Sequence, residues 1–249
     1  MWWSIRGPFK RAAAAVAVLL VALGAAGKSV REGEPPDYEK IFGRSYRQAL
    51  DFVRKNRRAD SEFRARSLDP AFAWAVVFPE LIRWSALSDV IETSNLRVLY
   101  VQFGKGYTDF SVGHFQMKPS FVETLEGDYN RLIDPEEKAG AGIPAFDAAD
   151  TVENRRTRVS RMTGLDGQVR YLIAFLLVMD KVYAGESWLG AEEKLRFTAT
   201  AYNAGYRRGA AALKRESSLL RFHTGVLVSR PAYSYAGIAL DFFRKFPLI

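Results

Sequence analysis

Glu80 follows an apolar run over residues 72–78 and a proline, Pro79, which places its carboxyl at the break of a buried helix. Desolvation by Phe78, Leu81 and Trp84 would raise its pKa and keep it protonated near neutrality. A general acid that protonates a glycosidic oxygen needs that state. Taken alone, the segment also allows a partly exposed glutamate balanced by Arg83 or a nearby lysine. A second group is Gly113-His114-Phe115-Gln116-Met117-Lys118-Pro119. Here Gly113 permits a backbone conformation or a close approach that a side chain would block, and Gln116 can both donate to and accept from an N-acetyl sugar. His114 reads as a surface or packing residue without a chemical role. The third group is Ala201-Tyr202-Asn203-Ala204-Gly205. Tyr202 can orient a carboxyl while stacking on a sugar, and Asn203 can bridge carbohydrate or backbone groups. The plain alternative is a helix end with the tyrosine in the core and the asparagine near a cap.

The elements that must position these residues read as mainly α. Asp69 and Pro70 are an N-cap and first-turn proline, so a helix starts there; Pro79 should kink or end it. Residues 103–117 hold Gly104, Gly106 and Gly113 among aromatic and β-branched residues, which suits a small hairpin or irregular turn. A helix over 192–201 leads into the Tyr-Asn pair, with Gly205 as its stop. Residues 37–56 repeat apolar side chains at Phe42, Tyr46, Leu50 and Val53, the spacing of a helix with one core face. A last aromatic helix over 233–243, stopped by Pro247, is expected to pack on it. Residues 123–162 read as a polar insertion carrying Gly140-Ala141-Gly142-Ile143-Pro144. It fits a lid, a partner site or a solvated excursion.

The N-terminus sets the compartment. Arg6, Lys10 and Arg11 precede an uncharged run over 12–27, the pattern of a secretory signal over 1–27, and Gly24, Ala25 and Ala26 suit cleavage. An uncleaved signal would leave the same body outside the cytoplasm and close to a membrane. Residues 28–36 form a polar linker, and 37–249 are long enough for one domain with a sizeable core. There is no cysteine among the 249 residues, so the fold has no disulfide and no thiol chemistry, and no lipid is attached behind the signal. The formal charge of +8 would suit nucleic acid, but an exported chain rarely meets it; an anionic envelope polymer or lipid headgroups fit better, beside plain solubility. No H-E-x-x-H and no phosphate loop occur, and His114 and His223 stand too far apart in sequence to suggest a ligand pair, so no metal or cofactor is expected.

Together and in this order, the helix-borne Glu80, the Gly113-to-Pro119 turn and Ala201-Tyr202-Asn203-Ala204-Gly205 resemble the lytic transglycosylases of the lysozyme-like superfamily. The resemblance covers 72–206. It implies a lysozyme-like α+β domain with a small hairpin region and additional helices, working in the periplasm or cell envelope of a bacterium on peptidoglycan glycan strands. It also implies a single catalytic carboxyl, Glu80, with the muramic acid C6 hydroxyl as nucleophile and 1,6-anhydro ends as product. Gly113, Gln116, Tyr202 and Asn203 take the substrate-binding positions. Leu81 stands where that family commonly has serine. The turn also resembles goose-type lysozymes, which makes Asp109 a possible second carboxylate for hydrolysis; Asp109 and Asp89 are equally suited to loop or cap positions. A module that binds peptidoglycan without cutting it is the third expectation.

Overall fold

In the computed structural model, which describes residues 36–87, 94–224 and 231–246, the chain forms a succession of α-helices. They are α1 (Tyr38–Phe42), α2 (Arg44–Lys55), α3 (Arg58–Arg64), α4 (Pro70–Leu87), α5 (Ser94–Phe103) and α6 (Pro119–Leu132). There follow α7 (Pro135–Ala141), α8 (Val152–Thr163), α9 (Leu165–Val182), α10 (Ala191–Ala204), α11 (Ala210–Glu216) and α12 (Tyr235–Lys245). The signal and linker readings over 1–36 lie almost wholly outside the described residues, as do Asp89 and Pro247. Among the described residues no helix by itself is long and apolar enough to cross a membrane.

Helix α4 organises one half of the molecule. Asp69 caps it by accepting from the Ala71 amide at 2.9 Å, and Pro70 takes the first position, where a missing N–H costs nothing. Every side chain from Ala73 to Phe78 is buried, as are Leu81 and Ile82, so the helix is covered on all sides. It does not end at Pro79, as the proline alone would suggest, but continues to Leu87. An interior proline costs about 3 kcal/mol, and burial of this many large apolar side chains, each worth about 1.5–3 kcal/mol, outweighs it. The Tyr235 hydroxyl donates to the Val76 carbonyl at 3.0 Å, beside the Ala75 carbonyl that Pro79 leaves without its helical donor. Phe78 stacks on Phe242 at 4.1 Å and meets Tyr46 edge-on at 5.1 Å, which brings α2, α4 and α12 to one point. Tyr46 also donates to Asp241 at 2.8 Å, tying α2 to α12. The segment expected as one helix over 37–56 is two, broken at Gly43, whose φ of 51° is the left-handed conformation that glycine takes at low cost.

The other half is built on α6, α8 and α9, and it contains the stretch expected as a polar insertion. That stretch is only in part a solvated excursion: Asp134, Glu136, Glu137, Asp147, Asp150, Glu153 and Arg156 are exposed, but Glu126, Asp128, Arg155 and Arg158 point inward. Arg158 donates twice to one oxygen of Glu126 at 2.8 and 2.6 Å, and Tyr171 donates to the other at 2.6 Å. Arg158 also donates to the Tyr100 hydroxyl, which in turn donates to Glu123, each at 2.8 Å. Glu126 and Arg158 are buried, so their charges are compensated by protein partners rather than by water. Helices α8 and α9 meet at Gly164 with a bend of 97°.

Among the described residues there is no β-strand. Where a small hairpin or turn was expected, Val112 and Met117 form one isolated antiparallel bridge, with N···O distances of 2.8 and 3.1 Å, closed by residues 113–116.

Arg158→Met leaves Glu126 buried with Tyr171 and a distant Arg161, at 3.8 Å, as its remaining support. Urea unfolding is expected to show a loss of about 3–5 kcal/mol; a loss below about 1 kcal/mol would mean the pair does not hold α6 to α8.

Candidate active site

Helices α4, α6 and α10 and the turn at 113–116 enclose an open cleft of about 470 Å³. Glu80 and Arg83 enter it from α4, and Asp109, Ser111 and Gln116 from the segment before α6. Lys118, just before α6, and Phe121 and Thr124 on its first turns, each three residues after the last, form a wall. Tyr202 and Asn203 face them from the last turn of α10, which Gly205 ends in a φ of 97°. The structure therefore brings Glu80, Asp109, Gln116, Tyr202 and Asn203 to one cavity, although they are scattered over more than a hundred residues of sequence.

Glu80 is 4% exposed. Burial pushes its carboxyl up from the ordinary value of 4.5, against the opposing pull of Arg83 and, more weakly, of Lys118. Arg83 lies one turn along α4, its Nη1 at 3.1 and 3.4 Å from the two carboxyl oxygens. Its Nε donates to the His223 carbonyl at 2.9 Å, and its guanidinium lies over the Phe222 ring at 4.4 Å, so its position is fixed from outside α4. Both readings of the segment thus hold in part: the glutamate is buried, and it is paired with Arg83. Burial prevails over the pairing, and the carboxyl is biased toward the protonated form.

The Gly-Gln turn is locked into the core behind the cleft. Gly113 has a φ of 72°, and a Cβ built on it would lie 2.4 Å from the Met162 carbonyl oxygen and 2.6 Å from Gln168. Gln168 is fully buried and accepts from the Phe115 amide at 2.8 Å. Gly113 therefore faces α9 and the end of α8 and is not part of the cleft lining. Its carbonyl accepts from the Gln116 side-chain amide at 2.8 Å, which holds Gln116 at the cleft with a φ of 50°. Tyr202 donates to the Phe115 carbonyl at 2.8 Å, tying α10 to this turn. Burial, and then the nearness of Glu80, keep its phenol protonated well above its ordinary range. Asn203 is exposed at the cleft. His114 packs between Phe52 and Trp84, with ring centroids 4.3 and 4.1 Å away, and burial lowers its pKa.

Asp109 stands on the rim with both carboxylate oxygens engaged. It accepts from the Ser120 amide at 2.9 Å and from the Ser120 hydroxyl at 2.7 Å, and so caps the first turn of α6 from outside. Sequence reasoning did not single out the α6 stripe or Arg207, which also line the cleft. The stripe was visible as Lys118, Phe121 and Thr124 at helical spacing after Pro119; Arg207 had no such signal, because a fold contact with Asp128 positions it. Among the described residues no three of His, Cys, Asp or Glu gather closely enough to hold a metal ion.

Two substitutions test this arrangement. Gly113→Ala places a Cβ against backbone at a positive φ and is expected to destabilise the fold by at least about 2 kcal/mol; a smaller loss in thermal unfolding would mean that the turn can shift off Gln168. Glu80→Gln removes a group whose folded pKa is raised. Below 4.5 the Glu80 carboxyl is neutral in both folded and unfolded chains; as pH rises past that value the unfolded chain ionises first, and the wild type loses stability until the folded pKa is passed. The melting temperature of Glu80→Gln relative to wild type is therefore expected to rise between pH 4 and pH 8, and a constant or falling difference would show that the Arg83 pairing prevails. No family model, curated protein or solved structure matches this chain.

Proposed function

We propose that this chain is an exported peptidoglycan lytic transglycosylase that cuts the β-1,4 bond between N-acetylmuramic acid and N-acetylglucosamine. The observation that carries this reading is a buried carboxyl, Glu80, held toward its protonated form by desolvation and open to a cleft that also presents Gln116, Tyr202 and Asn203. In the reaction, Glu80 gives its proton to the glycosidic oxygen as the bond to the muramic C1 breaks. The Glu80 carboxylate then takes the proton of the muramic C6 hydroxyl as that oxygen bonds to C1, which closes a 1,6-anhydro ring and restores the acid. One carboxyl suffices for this sequence, in keeping with the engagement of Asp109 by Ser120. The lysozyme-like reading of the fold, with the bridge at Val112 and Met117 as remnant of its small hairpin, belongs to the same proposal.

A second reading has its own support. The ion pair of Glu80 with Arg83 favours the carboxylate form, which suits a module that holds glycan without cutting it. Hydrolysis in the goose-lysozyme manner would require Asp109 to leave Ser120 and activate water.

Digestion of purified peptidoglycan, followed by mass spectrometry of the released fragments, separates these readings. Wild type is expected to release fragments short by one water, and Glu80→Gln to lose at least about a hundredfold in rate, the scale of a general acid's contribution. Reducing ends would establish hydrolysis, and binding without release would establish a carbohydrate-binding module.

A further inference from the structure

The charge of the cleft is unbalanced. Its lining carries three cations, Arg83, Lys118 and Arg207, and two carboxyls, Glu80 and Asp109. Glu80 is biased toward the neutral form, and Arg83 is spent on Glu80, the His223 carbonyl and the Phe222 ring. The side chain of Lys118 forms no hydrogen bond or ion pair among the described residues, and the residue is exposed at the position preceding α6, where an acidic or hydroxyl side chain would be preferred. That choice does not serve the helix. At the far end of the same helix face, about 15 Å along its axis, Arg207 reaches back from the 3₁₀ turn Tyr206–Arg208 to Asp128.

The Arg207 end is built rather than incidental. Asp128 is 1% exposed; burial alone would raise its carboxyl, but bonds from Arg207, Arg131 and Tyr206 outweigh it and hold it at about 2. Two bonds from Arg207, at 2.7 and 2.5 Å, fix the guanidinium plane at the rim, while a second guanidinium, Arg131, meets the same carboxylate at 2.6 Å. Two cations share one anion, and a positive charge is left over at the end of the cleft.

We propose that Lys118 and Arg207 read carboxylate groups carried by the glycan, so that the cleft selects an anionic, muramic-acid-containing chain over a neutral N-acetylglucosamine chain. The inference rests on the reading of the cleft as a glycan site. The carboxylates have two sources, the lactyl group of a muramic acid stripped of its peptide and the free carboxyls of an attached stem peptide.

The test is equilibrium binding to the full-length Glu80→Gln protein, which keeps the substrates intact. Three ligands of equal sugar count are compared: an N-acetylglucosamine oligomer, peptide-bearing glycan and peptide-stripped glycan. At low salt both or one of the anionic ligands is expected to bind at least tenfold more tightly than the neutral oligomer, and added salt should shrink the difference. Tight binding of the peptide-stripped form alone assigns the lactyl carboxylate, of the peptide-bearing form alone the stem peptide, and of both a cleft that reads either carboxylate. Lys118→Met added to Glu80→Gln removes an exposed, unpaired cation and is expected to fold normally; it should cut the preference severalfold, and Arg207→Gln should do the same. Equal affinity for all three ligands, or a preference that survives both substitutions, overturns the proposal. Selective binding by a protein whose wild type releases no fragments would leave this inference standing and remove the transglycosylase reading instead.

Discussion

A carboxyl carried on a helix with no polar face is the constraint around which the rest of this molecule is arranged. Helix α4 buries Ala73 to Phe78 completely, so neighbours must cover it on every side, and α2, α10 and α12 do so. Water then reaches Glu80 only where the covering is incomplete, at the cleft. Desolvation of the carboxyl is thus a consequence of packing the apolar run rather than a separate device. Its one charged neighbour on the same helix, Arg83, is held by the His223 carbonyl and the Phe222 ring, so the counter-charge is positioned by the segment between α11 and α12 and not by α4 itself.

The parts of this arrangement that follow from local rules were legible in the sequence. Asp69 and Pro70 start α4, Gly205 ends α10, and the spacing of Tyr46 and Val53 gives α2 its buried face. The parts that depend on tertiary packing were not. Pro79 reads as a kink or an end, and the surrounding core carries the helix through it, because the cost of one lost hydrogen bond and one steric conflict is small beside the burial on either side. Residues 123–162 read as polar surface because Glu126, Asp128, Arg155 and Arg158 are charged, whereas all four are buried against partners far away in sequence. Composition records that a residue is charged; it does not record that its counter-charge waits on another helix. Gly113 was legible as a special backbone position, but the reason is Gln168 and the Met162 carbonyl behind it, which no local pattern announces.

Helix α6 joins the two halves of the molecule. One face presents Lys118, Phe121 and Thr124 to the cleft, and another carries Glu126 into the buried cluster with Arg158 and Tyr171. Asp109 fixes its start and Asp128 fixes Arg207 near its end. The wall of the cleft is therefore held at both ends by hydrogen bonds and ion pairs within the protein. The opposite wall is tied in by Tyr202, whose bond to the Phe115 carbonyl spans α10 and the Gly-Gln turn. With Gln168 holding the Phe115 amide, the residue between His114 and Gln116 has both of its backbone groups fixed by side chains. Gln116 is consequently presented by a turn with little freedom to move.

The pairing of Glu80 with Arg83 bears directly on the proposed chemistry. A group that first donates a proton and then accepts one must occupy both forms during each turnover, and neither may lie so low in free energy that it becomes a trap. Burial without Arg83 would leave a carboxyl too weak to give up its proton; Arg83 without burial would leave a carboxylate with no proton to give. The fold supplies both: burial, the larger effect, raises the carboxyl's pKa, and a guanidinium 3.1 Å away is in place for the carboxylate. Because Arg83 is anchored by a backbone carbonyl and an aromatic face, it has no need to move during that exchange, and the stabilisation of the carboxylate is in place before the proton leaves.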